Sequence, residues 1–311
     1  MSAGPTIAPA AGPPGGAGPV GVTDPVGRPD GVGRRRLILR PSTWVTWAVV
    51  AFFFINLLGV VGSVVVNSFS THWFGTWWPA GLTTQYWAEA WHEFDLTHVL
   101  IVTLEVSLAV VVIAALVGVP AAYVLARRQF PLKRLVMLLF LLPVMVPPIA
   151  YGIPLATVLY KYDLANSLTG VILANLVPSV PFVVLTMTPF IEQIDPKIEA
   201  AARMCGATTR AVFLRVLLPL LVPGVLAAAV LVLVRTVGMF ELTYLTAGTD
   251  SQTLVVALYN AYYGAGIRAP QSTDAMAVLY MLTMLVLLVV ALRFVNPTQL
   301  VTRVADERRG D

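Results

Sequence analysis

Residues 199–224 read EAAARMCGATTRAVFLRVLLPLLVPG, and this stretch decides the fold. A small-sided, mixed-charge segment stops at Gly206 and gives way to a long apolar run. Just upstream, Asp195 is placed to cap a helix whose first residue is Pro196. Ala200, Ala201 and Ala202 favour that helix, and Gly206 can end it because glycine accepts left-handed geometry. A second amphipathic helix is expected over TTRAVFLRVLL, with Val212, Leu214 and Val216 apolar and Arg210 and Arg215 among them. Pro219 is then expected to start the apolar helix proper. A plain helix–helix connection takes about two to eight residues. The segment 192–216 is longer and holds a short, rigid, exposed helix, which suits a docking element.

Working outward, the surroundings of this stretch are membrane-like. Of 311 residues, 58% are hydrophobic and only 12% charged, and the mean hydropathy is +0.81. A soluble domain carries about 25% charged residues, so lipid must serve as part of the solvent here. One cysteine excludes an internal disulfide framework and a cysteine-rich zinc site. The net charge of +4 is dispersed, without the basic patch that nucleic-acid binding needs.

Six apolar runs are long enough to cross a bilayer, near 44–68, 97–126, 134–160, 168–191, 217–245 and 274–296. Each must be helical, since hydrocarbon satisfies no backbone groups. The expected fold is an all-α membrane protein of six transmembrane helices, residues 44–303, with a short helix between the fourth and fifth spans. Residues 1–43, rich in Gly, Pro and Ala, are expected to be a disordered cytoplasmic tail, and 304–311 a second cytoplasmic tail. The first apolar run starts too late and is too long for a signal peptide. With the N-terminus cytoplasmic, the tail, 127–134, 192–216 and the C-terminal end from Arg293 hold 17 of the 20 basic residues. The positive-inside rule selects that topology.

Several residues stand out against this background. Pro143, Pro147, Pro148 and Pro154 interrupt the third run, each deleting a donor and bending the helix. A pathway-lining helix that flexes at Pro147 and Pro148 is one reading, an inert kink the other. Glu105, Arg235 and Glu241 are charges within apolar runs, which usually face the bundle interior. Glu105 and Arg235 fall at comparable depth, so an ion pair or gate between them is expected, while an unpaired Glu105 or Glu241 would attract a cation. The first outer loop, about 69–96, carries Trp73, Trp77, Trp78, Trp87 and Trp91 and reads as a helix at the membrane surface or a contact for an external partner.

The opening stretch resembles the cytoplasmic signature of permease subunits of bacterial ABC importers. That signature runs Glu-Ala-Ala, three residues, Gly, nine residues, a branched apolar residue, one residue, Leu-Pro. Counted from Gly206, it falls on Ala201 and Ala202 before the glycine and on Val216, Leu218 and Pro219 after it; its glutamate position holds Ala200, with Glu199 one step earlier. Residues 121–135, AAYVLARRQFPLKRL, are similar to the family's turn between the second and third spans. The resemblance implies a type I importer permease of the bacterial plasma membrane. It also implies that Glu199, Ala200, Ala201, Ala202, Gly206 and Ala207 form a coupling helix against an ATPase subunit. The implied partners are a second permease, two ATPase subunits and an extracytoplasmic solute-binding protein. The chain has no Gly-x-x-x-x-Gly-Lys phosphate loop, so ATP and Mg²⁺ are expected on the partner ATPase and no cofactor on this chain.

Carbohydrate permeases mostly read Asp-Gly-Ala at the signature glycine, whereas this chain reads Cys205-Gly206-Ala207. With the C-terminal ALRFVNPTQLV, this resembles the polyamine, phosphonate and iron group. A polyamine or related small solute is therefore expected, with a sugar or sugar alcohol as the alternative. A membrane enzyme or a channel is the remaining alternative. His72, His92 and His98 show no ligand spacing, and no filter-like segment appears.

Overall fold

The computed structural model describes residues 41–73, 75–264 and 269–294. Of the expected tails at 1–43 and 304–311, residues 1–40 and 304–311 lie outside these residues. The chain divides into two units after Phe53, and the described part of the first is the beginning of helix α1, Pro41–Ser68. That helix starts three residues before the expected boundary at Trp44.

The second unit is helical throughout its regular elements, as the apolar runs require. After the end of α1 come α2 (Gln85–Glu93), α3 (Leu96–Arg127), α4 (Lys133–Met145), α5 (Pro148–Lys161) and α6 (Leu168–Glu192). Then follow α7 (Pro196–Met204), α8 (Thr209–Val237), α9 (Glu241–Thr246), α10 (Leu254–Tyr263) and α11 (Pro270–Phe294). Among the described residues, five helices are long and apolar enough to cross a membrane: α1, α3, α6, α8 and α11. A sixth crossing exists if α4 and α5 are counted together.

That pair corrects the third expected span. Instead of one kinked helix, α4 and α5 meet at 97°. Val146, which precedes Pro147, is extended at φ −76°, ψ 134°, and Pro147, which precedes Pro148, is extended at φ −54°, ψ 133°. A residue before proline is driven out of the α region, and two such steps in succession turn a bend into a corner. Pro143 and Pro154 stay inside α4 and α5.

The fifth span differs at both ends. No separate amphipathic helix precedes Pro219; the chain is helical from Thr209 and passes through a π-turn at Val212–Leu217. The Leu218 N–H donates to the Phe213 carbonyl, five residues back. Pro219 lacks an N–H and its ring would clash with the carbonyl four residues earlier, so a wider turn just before it relieves both problems. At the far end α8 stops at Val237 rather than running to 245, and α9 follows after Gly238–Phe240.

The core lies where α3, α6 and α8 pack, around Val106, Val110, Ala114, Val183, Met187, Leu221 and Val232. A tight contact lies at Gly118 of α3, where an added Cβ would stand 2.7 Å from the Val183 side chain of α6. Glycine makes room there for the branched side chain, as small residues do at membrane helix contacts. Interior polar groups bond back to their own helix: Thr103 to Val99, Ser107 to Thr103, Ser179 to Asn175 and Thr188 to Val184, at 2.6–2.7 Å. Thr103 also accepts from the Leu254 N–H at 2.8 Å, and Asn175 donates to Thr243 at 3.2 Å, tying α10 to α3 and α9 to α6.

The tryptophan-rich loop is only partly a surface element. Trp77 and Trp78 are exposed at 94% and 78%. Trp87, on α2, instead stacks on Phe69 at 5.3 Å and packs with Ala90, Leu254 and Met276 in a second core.

Candidate functional site

Helix α7 is held at both ends by its own sequence. The Asp195 side chain accepts from the Lys197 N–H at 2.9 Å, with Pro196 at the first helical position. Gly206 has φ +84°. Its N–H donates to the Arg203 carbonyl at 2.9 Å and the Ala207 N–H donates to the Ala202 carbonyl at 3.1 Å. This pair of bonds closes a glycine-terminated helix and satisfies two otherwise orphaned carbonyls. Ala202 and Ala207 pack against the α3–α6–α8 core.

The helix therefore has two different faces. Ala200, Ala201, Met204, Cys205 and Gly206 are exposed, Met204 at 90%. Glu199 points the other way and is only 6% exposed. Its Oε1 accepts from Arg127 Nε at 2.6 Å and its Oε2 from the Tyr123 hydroxyl at 2.9 Å, with Arg203 at 3.7 Å. The same Arg127 donates to the Ile194 carbonyl at 2.7 Å. One guanidinium thus fastens the start of α7 to the last turn of α3, using the planar fork that lysine lacks. Lys133 stands 4.0 Å from Glu192 beside this cluster. Sequence reasoning missed Arg127 and Tyr123 as partners of Glu199. The turn AAYVLARR carried both, but nothing in it said that they reach residue 199.

The other expected residues are not gathered into one constellation. Glu105 is exposed, on the same face of α3 as Ile101, Leu108 and Val112. Arg235 lies half-buried in the last turn of α8 with its guanidinium 5.7 Å from the Phe182 ring centre. The expected Glu105–Arg235 ion pair is absent: among the described residues, no carboxylate stands within ion-pair distance of Arg235. The two charges share a depth along the sequence, but their helices turn them to different sides. Arg235 and Glu241 instead lie within electrostatic reach of the Tyr151 hydroxyl of α5. That hydroxyl and the Thr236 hydroxyl are buried without a hydrogen-bond partner. Pro147 and Pro148 form the α4–α5 corner that places Tyr151 there. A further intramembrane acid that the sequence reading passed over is Asp274, near the start of α11, which accepts from the Asn67 amide at 2.5 Å.

An exposed, capped helix clamped by a buried ion pair to a bundle of long apolar helices is the arrangement of a multi-pass membrane protein. Residues 114–300, more than half the chain, match the family of binding-protein-dependent transport system inner membrane components, and the chain belongs to that family. Among curated relatives, it is 33% identical over 165 residues to a probable molybdenum ABC transporter permease protein of Haloferax volcanii, covering 50% of this chain and 61% of that one. It is 35% identical over 162 residues to the trehalose transport system permease protein SugB of Mycobacterium tuberculosis, covering 52% and 59%. The chain thus spans about three fifths of the length of these relatives. Its fold is similar to a chain from the crystal structure of a bacterial ABC transporter that imports the acidic polysaccharide alginate. The TM-score is 0.67 at 15% identity, over 80% of this chain and 94% of that one.

Proposed function

We propose that this protein is the permease subunit of an ATP-driven importer, lining the pathway with a second permease. The observation that carries the reading is α7: a short helix capped at both ends, exposing small and apolar side chains together with Lys197 and Arg203, and clamped on its inner face by Arg127. In this reading α7 is the coupling helix and its exposed residues Ala200, Ala201, Met204 and Gly206 meet the ATPase. Glu199 transmits motion to α3 and makes no contact with the partner. The positive-inside count supports cytoplasmic termini and a cytoplasmic α7. ATP and Mg²⁺ belong to the ATPase subunits, so the chain itself is not an enzyme, and an external binding protein delivers the solute. Closure of the ATPase dimer pushes α7 and opens the pathway outward; hydrolysis resets it, an alternation between two states that α7 biases.

The solute is a small polar molecule. A polyamine reading requires Glu105 and Glu241 to face the path, and Glu105 shares its face with exposed aliphatic side chains. Arg235 weighs against it as well, because a polycation would pass a guanidinium that has no carboxylate within ion-pair distance among the described residues. A neutral or anionic solute meets no such barrier.

The test is purification of the tagged chain from its native membrane. An ATPase subunit is expected to accompany it, and Gly206→Pro is expected to enter the membrane normally while losing that subunit or its solute-stimulated hydrolysis. A chain that purifies alone, or normal stimulated hydrolysis in the variant, would sink the reading.

A further inference from the structure

Away from the clamp, α5, α9 and α10 enclose an open cleft of about 490 Å³ that the sequence reading did not anticipate. Its polar lining is Thr157, Tyr160, Tyr244, Gln252 and Asn260, and among the described residues no charged side chain lines it. Its size falls in the range of small-molecule sites, about 300–1,000 Å³.

Two features of this lining point to one ligand chemistry. The first is a run of aromatic rings that begins in the cleft wall. Tyr244 lies 5.2 Å from both Phe240 and Tyr259, Phe240 lies 4.7 Å from Tyr259, and Tyr259 lies 4.7 Å from Tyr263. These rings pack on one another, so Tyr244, though 46% exposed, is held as a rigid flat surface with a polar tip. The second feature is a pair of amides. Asn260 Nδ2 donates to Gln252 Oε1 at 3.2 Å. That bond leaves the Gln252 amide nitrogen as a donor and the Asn260 carbonyl as an acceptor, on two residues that both line the cleft. A hydroxyl group donates and accepts at once and satisfies both; an ammonium only donates and an oxyanion only accepts.

We propose that this cleft binds a neutral polyhydroxylated solute, a sugar or sugar alcohol, with the Tyr244 ring against its apolar face and the Gln252–Asn260 pair on adjacent hydroxyls. The proposal rests on the importer reading for its purpose and narrows the solute that this reading leaves open. It also gives the permease a recognition site of its own, beside that of a binding protein.

The experiment is saturation-transfer NMR on the full chain, co-purified with whatever subunits accompany it, using trehalose, mannitol, spermidine and molybdate as separate probes. Trehalose or mannitol is expected to give the signal. Asn260→Leu is expected to weaken it about tenfold, the scale of one good hydrogen bond, and Tyr244→Ala to remove it. Tyr244→Phe keeps the ring and is expected to retain most of the signal; it also serves as the folded control, since its size-exclusion profile can be compared with the parent. Binding of spermidine or molybdate that responds to the same substitutions would overturn the proposal. So would silence from all four probes, or protection of Tyr244 by a second permease in the purified complex. If an ATPase co-purifies and no polyol binds, the cleft proposal alone fails. If a polyol binds and no ATPase is present, the importer reading fails and the cleft stands.

Discussion

Two tyrosine hydroxyls show how differently the two functional regions are built. Tyr123, beside α7, donates to a carboxylate that Arg127 also holds, and both oxygens of that carboxylate are bonded. Tyr151 of α5 has a buried hydroxyl with no hydrogen-bond partner among the described residues, and so does Thr236 in the last turn of α8, beside Arg235 in the chain. Satisfied buried networks rigidify, and a polar group left alone in low dielectric costs free energy. The first region holds α7 firmly to α3. The second leaves two buried hydroxyls without such bonds among the described residues.

The sharpest way to break this contrast is at the clamp. Arg127→Ala strands Glu199 as a buried, poorly compensated charge. Removing one partner of a buried pair costs about 3–5 kcal/mol, so a pronounced fall in the melting temperature of the purified chain is expected, with loss of coupled transport. Arg127→Lys restores the charge but not the fork to Glu199 and Ile194, and its melting temperature is expected to fall between the two. A melting temperature for Arg127→Ala equal to the parent's would mean that the cluster is not a structural clamp.

Next in size is the close contact between α3 and α6. In Gly118→Ala the new methyl would meet Val183 at 2.7 Å, and overpacking of this kind costs about 1–3 kcal/mol. The expected outcome is lower thermal stability with α7 still able to retain the ATPase, so a co-purification assay separates this packing defect from a coupling defect. Gly206→Ala is smaller again. Its left-handed φ of +84° costs a side chain roughly 1–2 kcal/mol, and partial loss of solute-stimulated hydrolysis is expected, short of the full loss in Gly206→Pro.

The legibility of these features follows their range in sequence. Asp195, Pro196 and Gly206 cap α7 through bonds spanning a few residues, so residue type and spacing sufficed to locate both ends. Long apolar runs announced the spans for the same reason. The 97° corner was half-legible: the prolines marked a weak point, but the angle depends on two pre-proline steps acting together. The Arg127–Glu199 bond crosses 72 residues and the Thr103–Leu254 bond 151, and no local pattern encodes which side chains such distances bring together. Glu105 and Arg235 failed as a pair because depth in a span is readable from residue counts, whereas the face of a helix depends on its neighbours.

The smallest expected effect, that of Tyr151→Phe set against Tyr123→Phe, bears most directly on the contrast. Tyr123→Phe removes a hydroxyl that donates to a carboxylate, a bond worth about 1.5–3 kcal/mol because its acceptor is charged. Tyr151→Phe removes a hydroxyl with no hydrogen-bond partner among the described residues, so its stability is expected to equal or slightly exceed the parent's. The pair of variants changes the same atom on the same residue type, which cancels the loss of solvation and of polar surface common to both. If transport falls in Tyr151→Phe while its melting temperature holds, the hydroxyl acts during the cycle. If stability and transport are both unchanged, the hydroxyl is an idle cost and the case for this region as pathway rests on Arg235 alone. If Tyr151→Phe loses as much stability as Tyr123→Phe, the two regions are not different in kind.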